Sequence, residues 1–254
     1  DVLIHALPIF HTHGLFVATN VSLLSGSSMI FMRKFDADGI CKRMTEASVL
    51  MGVPTYYHRL LQNPELEQAS KNMRLFVSGS APLLVQTHVH WRERTGHAIL
   101  ERYGMTETNM NTSNPYDGER RAGSVGFPLP GVEVLVTNPE SGQILPPGEI
   151  GVIEVRGPNV FKGYWGMPEK TAEELRENGF FITGDLGTIG EDGYVSLVGR
   201  SKDLIISGGY NIYPKEIELL LDRIDRVFES AVIGVPHPDL GEAVVALIVT
   251  ESGI

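Results

Sequence analysis

Leu75-Phe76-Val77-Ser78-Gly79-Ser80-Ala81-Pro82 and Ile99-Leu100-Glu101-Arg102-Tyr103-Gly104-Met105-Thr106-Glu107 flank a helical pattern over Val85–Thr95. Each flanking stretch opens apolar and ends in small and polar residues, so the whole reads strand, loop, helix, strand, loop. Strands joined through a helix lie parallel, because a tight turn cannot bring them back side by side. Working outward, Leu3–Leu7, Ser28–Met32, Val49–Val53, Leu75–Ser78 and Ile99–Glu101 are expected as strands. Leu15–Leu24, Ala37–Thr45 and Thr55–Gln62 are expected as the helices between them. The fold class is therefore α/β, a layered, mostly parallel sheet with covering helices. Ligands in such sheets sit beyond the carboxyl ends of the strands. Both Ser78–Pro82 and Tyr103–Thr106 lie there.

From about Asn114 the rhythm changes. Asn114-Pro115, Pro128-Leu129-Pro130-Gly131, Asn138-Pro139, Ser141-Gly142 and Pro146-Pro147-Gly148 are turn signals. Short alternating strands such as Val132–Val136 and Gly151–Val155 lie between them, which predicts a small antiparallel β subdomain. A short helix is expected over Glu169–Glu177. After Gly199-Arg200-Ser201-Lys202-Asp203 a new unit begins, with a strand, a Gly208-Gly209 turn, a helix from Pro214 to about Leu221, and two strands. Pro214 suits a first helical turn, and Glu216 and Glu218 suit the positive end of that helix. This is expected to be the start of a small α+β C-terminal domain, dividing the chain into residues 1–201 and 202–254.

The formal net charge is −10, from 31 acidic and 21 basic residues. That argues against a nucleic-acid partner, which needs clustered Lys and Arg, but leaves room for a small anion held by a local patch. Cys41 is the single cysteine, so no internal disulfide can form, and a cytoplasmic or mitochondrial-matrix setting fits. The most apolar stretch, Leu15 to Met32, is broken by Asn20, Ser22 and Ser25-Gly26-Ser27-Ser28, so no membrane span is expected. The chain opens and closes in strand-like runs, which reads as an internal fragment of a longer protein.

Glu101–Glu107 packs a guanidinium, an aromatic ring, a glycine, a hydroxyl and a carboxylate into seven residues. Such a set can meet a base, a phosphate and a cation. Thr106 and Glu107 equally suit a helix cap. Asp185, after Thr183-Gly184, can accept both hydroxyls of a ribose, or can bond its own turn. Arg200 ends a strand and could reach the same sugar, or stand at the surface.

Taken in order, several pieces together resemble the adenylate-forming superfamily of acyl-CoA synthetases, luciferases and peptide-synthetase adenylation domains. They are Ser78-Gly79-Ser80-Ala81-Pro82, Tyr103-Gly104-Met105-Thr106-Glu107, Gly148-Glu149-Ile150-Gly151, Gly163-Tyr164-Trp165, Thr183-Gly184-Asp185-Leu186, Gly199-Arg200-Ser201-Lys202-Asp203 and Ser207-Gly208-Gly209-Tyr210. The resemblance spans essentially the whole chain. It implies that ATP activates a carboxylate as an acyl adenylate with loss of pyrophosphate, and that coenzyme A then takes the acyl group. It also implies that residues 1–201 belong to the large AMP-binding domain and 202–254 to a swivelling C-terminal domain with Lys202 at the hinge. By the same resemblance, Gly79, Ser80 and Ala81 line the adenine side, with Arg102, Gly104 and Met105 nearby. Tyr103 stacks on the base, Thr106 bonds a phosphate oxygen, Glu107 holds Mg²⁺, and Asp185 and Arg200 hold the ribose. Gly208, Gly209 and Tyr210 line the coenzyme A path. Catalytic roles fall to Thr106 and Glu107.

Polar residues occupy the region where an acyl pocket is expected. His11, Arg59, Ser80, Arg102 and Met105 are the substrate-binding candidates. A second carboxylate on the acid would need a guanidinium, whose fork matches it in a bidentate way. Glu101–Ser113 resembles the malonyl-CoA synthetase branch, some members of which also accept methylmalonate. The expected substrate is thus a small dicarboxylic acid, with Arg59 on the distal carboxylate, Ser80 and Arg102 assisting, and His11 nearby. Arg59 also reads as a plain surface arginine, and His11 as a helix cap. Rival readings are a short- or medium-chain fatty acyl-CoA or aryl acid ligase, and a nucleotide-binding module without chemistry. The Thr/Ser/Gly-rich phosphate loop and the adenylation-lysine segment are absent, so the fragment alone is expected to form little or no adenylate.

Overall fold

The structure, a computed structural model, describes residues 1–250. The chain divides into two compact units, Asp1–Val134, Val155–Phe181 and Glu191–Ser196 in the first, and Leu135–Glu154, Ile182–Gly190 and the described residues from Leu197 onward in the second.

The first unit is built on a seven-stranded sheet. Its strands are β1 (Val2–His5), β2 (Ser28–Phe31), β3 (Val49–Gly52), β4 (Leu75–Ser78), β5 (Leu100–Tyr103), β6 (Thr112–Ser113) and β7 (Phe127–Pro128). They run in the order β2-β1-β3-β4-β5-β6-β7, parallel from β2 to β5 and antiparallel from β5 to β7. The parallel strands read as apolar runs because both faces are covered. One face packs Ile4, Leu50 and Phe76 with Tyr57, Trp91 and Ile99. The other packs Leu3, Val49, Met51, Val77 and Leu100 with Val17 and Ala18. Trp91 meets Tyr57 and Phe76 edge-on at 4.9 Å each, a favoured aromatic geometry.

The helices Ala37–Met44, Pro54–Leu60 and Val85–Thr95 sit where the spacing puts them, within two residues. Pro54 opens its helix, and Gly96, at φ +76°, closes the last one in the left-handed conformation that glycine favours. The helix expected over Glu169–Glu177 runs instead from Pro168 to Glu174, and two further differences bear on the site. Leu15–Leu24, expected as one helix, is a π-helical turn over His13–Thr19 followed by Asn20–Leu24. The strand expected to end at Glu101 continues to Tyr103, because Thr112–Ser113 pairs antiparallel with Arg102–Tyr103. Arg102 and Tyr103 are therefore strand residues, and the loop starts at Gly104.

Four further strands, β8 (Glu133–Thr137), β9 (Gly151–Arg156), β10 (Phe181–Ile189) and β11 (Val195–Arg200), form a sheet ordered β11-β10-β9-β8. The second unit holds an antiparallel sheet of β12 (Ile205–Ser207), β13 (Tyr210–Ile212), β14 (Val227–His237) and β15 (Gly241–Thr250), in the order β13-β12-β15-β14. Gly208 and Gly209 have φ +55° and +84°, the two positive values that a two-residue hairpin turn between β12 and β13 requires. The helix Pro214–Leu221 has its expected bounds. No helix of the described residues is long and apolar enough to cross a membrane.

Candidate active site

Side chains alternate along β5, so Leu100 and Arg102 point to one face and Glu101 and Tyr103 to the other. Arg102 lines a cavity of about 350 Å³ whose apolar walls include Leu3, Val49, Met51, Val77 and Leu100. Burial lowers the Arg102 pKa from its ordinary value. Its Nε is buried without a hydrogen-bond partner. A guanidinium left in that state is prepared to take a carboxylate or phosphate oxygen.

The segment after β1 turns sharply. A Cβ on Gly14 would lie 2.1 Å from the Pro8 carbonyl oxygen, so only glycine allows the chain to double back there. His5 Nε2 lies 3.0 Å from the Gly14 carbonyl oxygen and ties the turn to the strand. The result is that His13, not His11, faces inward. His13 Nδ1 sits 3.1 Å from Ser80 Oγ. Burial, then the charge of Arg102, lowers the His13 pKa to about 4, so the imidazole is neutral at pH 7. His11 is exposed and stacks at a tilt on Phe10, 4.5 Å away. The Gly14 requirement is the sequence signal that distinguishes the two histidines.

Ser80 follows β4 and carries φ +72°, an uncommon value for a residue with a side chain. Strain of this kind collects at functional sites. Gly79 lies against both His13 and the Arg102 carbonyl, 3.4 and 3.5 Å from where its Cβ would be. The structure thus brings Gly79, Ser80, His13 and Arg102 together. Ala81 is exposed. Arg59, on the helix Pro54–Leu60, is exposed with its guanidinium 5.8 Å from the centre of the Phe35 ring.

The loop after β5 is closely folded. A Cβ on Gly104 would stand 1.9 Å from the Asn109 carbonyl oxygen. Asn109 itself has φ +55°, and Asn111 N–H donates to the Tyr103 carbonyl at 2.9 Å. Tyr103 is buried, Met105 half-buried and Thr106 exposed. A second segment clasps this loop from fifty residues away. Asn159 Nδ2 donates to the Thr108 and Met110 carbonyls at 2.7 and 3.1 Å, and Phe161 N–H donates to the Glu107 carbonyl at 2.8 Å. Asn159→Ala should cost about 1–2 kcal/mol in denaturant unfolding, because two carbonyl oxygens lose their donor. Glu107 Oε1 lies 3.1 Å from the Tyr164 hydroxyl. Asn159 carries no sequence signal of this contact, and Tyr164 enters the sequence reading only as part of Gly163-Tyr164-Trp165, without a role.

Within the second unit, Asp185 on β10 and Arg200 on β11 are an ion pair, 2.9 Å between Oδ1 and Nε. Asp185 is buried, and its N–H donates to Thr183 Oγ1 at 3.0 Å across Gly184. Lys202 and Tyr210 are exposed. Among the described residues no three His, Cys, Asp or Glu side chains gather into a metal cage. A lone carboxylate such as Glu107 suits Mg²⁺ shared with phosphates, since that ion keeps most of its ligands from water and substrate.

The model of the AMP-binding enzyme family matches residues 1–165. The chain is 65% identical to MatB from Rhodopseudomonas palustris in its ATP-bound crystal structure, at a TM-score of 0.99 over 100% of this chain and 51% of that one. It is 41% identical to the malonate–CoA ligase of Arabidopsis thaliana over 99% of its own length, and 38% identical to a long-chain-fatty-acid–CoA ligase of Bacillus subtilis over 97%. It spans 44% and 45% of those two relatives. The chain belongs to the AMP-binding enzyme family.

Proposed function

We propose that this chain carries the central part of an ATP-dependent, AMP-forming acid–thiol ligase that converts a small dicarboxylic acid, malonate or methylmalonate, to its coenzyme A thioester. The carboxylate would attack the α-phosphate of ATP and expel pyrophosphate. The coenzyme A thiol would then displace AMP from the acyl adenylate. Half-buried Arg102, with its buried and unpartnered Nε beside the neutral His13–Ser80 pair, is the observation that carries the dicarboxylate reading. Malonate ligation is also what the Arabidopsis relative is named for.

In this reading Arg102 and Arg59 share the distal carboxylate, assisted by Ser80, with Met105 and the His11–His13 turn bordering the pocket. Tyr103, Thr106, Gly79, Ala81 and Gly104 meet the nucleotide, Asp185 and Arg200 the ribose, and Gly208, Gly209 and Tyr210 the coenzyme A path. Glu107 would hold Mg²⁺, which neutralises charge on the phosphates when bound. We assign residues 1–201 to the large domain and 202–254 to the mobile one, hinged at Lys202, in a cytoplasmic or mitochondrial-matrix protein.

The apolar walls of the Arg102 cavity favour a second reading, a fatty acid as substrate. Pyrophosphate release by the full-length protein with malonate, acetate and octanoate separates the two. Arg102→Leu should lower kcat/KM for malonate by about a hundredfold, the effect of stranding one carboxylate. Arg59→Leu should remove malonate use while leaving ATP affinity intact. Unchanged malonate turnover in both variants would reject the dicarboxylate assignment, and a gain with octanoate would favour the fatty acid.

A further inference from the structure

We propose that Tyr164 is a positioning residue for the cation site, a phenol that fixes the Glu107 carboxylate in the orientation a divalent metal needs. The inference rests on the reading of Glu107 as the magnesium carboxylate. The Tyr164 hydroxyl stands between two carboxylates, 2.6 Å from Glu174 Oε2 and 3.1 Å from Glu107 Oε1. A phenol has one proton and can donate to only one of them at a time. Lys170, one turn before Glu174 on the same helix, pairs with Glu174 and offsets its charge. Glu174 is thereby supported from a second side, whereas Oε1 of Glu107 depends on the phenol.

The phenol is itself well fixed. Its ring packs edge-on against Phe161 at 4.8 Å, and the Tyr164 N–H donates to Thr171 Oγ1 at 2.9 Å. Phe161, three residues before Tyr164, holds the Glu107 backbone, so both ends of Glu107 are set by the Phe161–Tyr164 segment. Groups that orient a ligating carboxylate act on metal affinity without touching the metal.

The test uses the full-length protein with a non-hydrolysable ATP analogue and Mn²⁺, whose free fraction is read by electron paramagnetic resonance. Tyr164→Phe keeps the ring and its packing, so the fold should hold, which thermal unfolding checks. Mn²⁺ affinity should fall by about tenfold or more. Affinity for AMP without metal should not change, a split that general structural damage would not produce. Glu107→Gln is the companion variant and should lose Mn²⁺ affinity by more. Loss in Glu107→Gln with parental affinity in Tyr164→Phe would overturn the positioning role alone. Parental Mn²⁺ affinity in both would overturn the reading of Glu107, and the role of Tyr164 with it. Equal loss of Mn²⁺ and AMP binding in Tyr164→Phe would also count against it.

Discussion

Gly104→Ala is expected to abolish pyrophosphate release by the full-length protein and to lower stability by about 3 kcal/mol or more. The new methyl would sit 1.9 Å from the Asn109 carbonyl oxygen and 2.9 Å from Met110 Cα. Both obstacles are backbone, so no side chain can swing aside. The loop can admit the methyl only by opening between Gly104 and Asn109. That opening pulls Thr108 and Met110 away from Asn159, and Glu107 away from Phe161 and Tyr164. The damage therefore extends from one contact to the whole loop that carries Thr106 and Glu107. Urea unfolding and pyrophosphate release measure the two effects. A variant within about 1 kcal/mol of the parent, with normal turnover, would show that the loop is not closed in this way.

Glu101→Gln should make the protein more resistant to alkaline pH. Glu101 is buried on the face of β5 opposite Arg102, and burial raises its pKa to about 8 from an ordinary 4.5. Its Oε1 accepts the Leu83 N–H at 3.1 Å, and Oε2 has no partner. Below about 4.5 the folded and unfolded chains both hold the proton. Between about 4.5 and 8 the folded chain keeps it and the unfolded chain has lost it, so stability falls as pH rises across that window. The full loss is about 5 kcal/mol, at about 1.36 kcal/mol per pKa unit. Glutamine has the shape of the protonated acid and cannot ionise. It should match the parent near pH 5 and exceed it by several kcal/mol at about pH 8.5. Denaturant midpoints at the two pH values test this, and a difference between variant and parent that does not change with pH would reject it.

Much of the architecture is legible locally. Leu75–Ser78, Val85–Thr95 and Pro214–Leu221 are found with the bounds their residues predict, since each is fixed by its own periodicity and end signals. What local reading misses depends on partners far along the chain. β5 runs on through Arg102 and Tyr103 only because β6 pairs with it. His11 and His13 flank the same threonine, and what separates them is the collision that forces glycine at position 14. Tyr164 and Asn159 act across 57 and 51 residues, and their type alone carries no sign of the bond they make.

That long-range clasp has a consequence for anyone who would transplant the site. A designer grafting Tyr103–Asn111 onto another scaffold would move the residues but leave behind the amide, the phenol and the backbone N–H that shape them. Gly157–Tyr164 would have to travel with the graft, together with enough of the helix Pro168–Glu174 to carry Lys170 and Glu174. The smallest portable piece of this site is a discontinuous pair of segments.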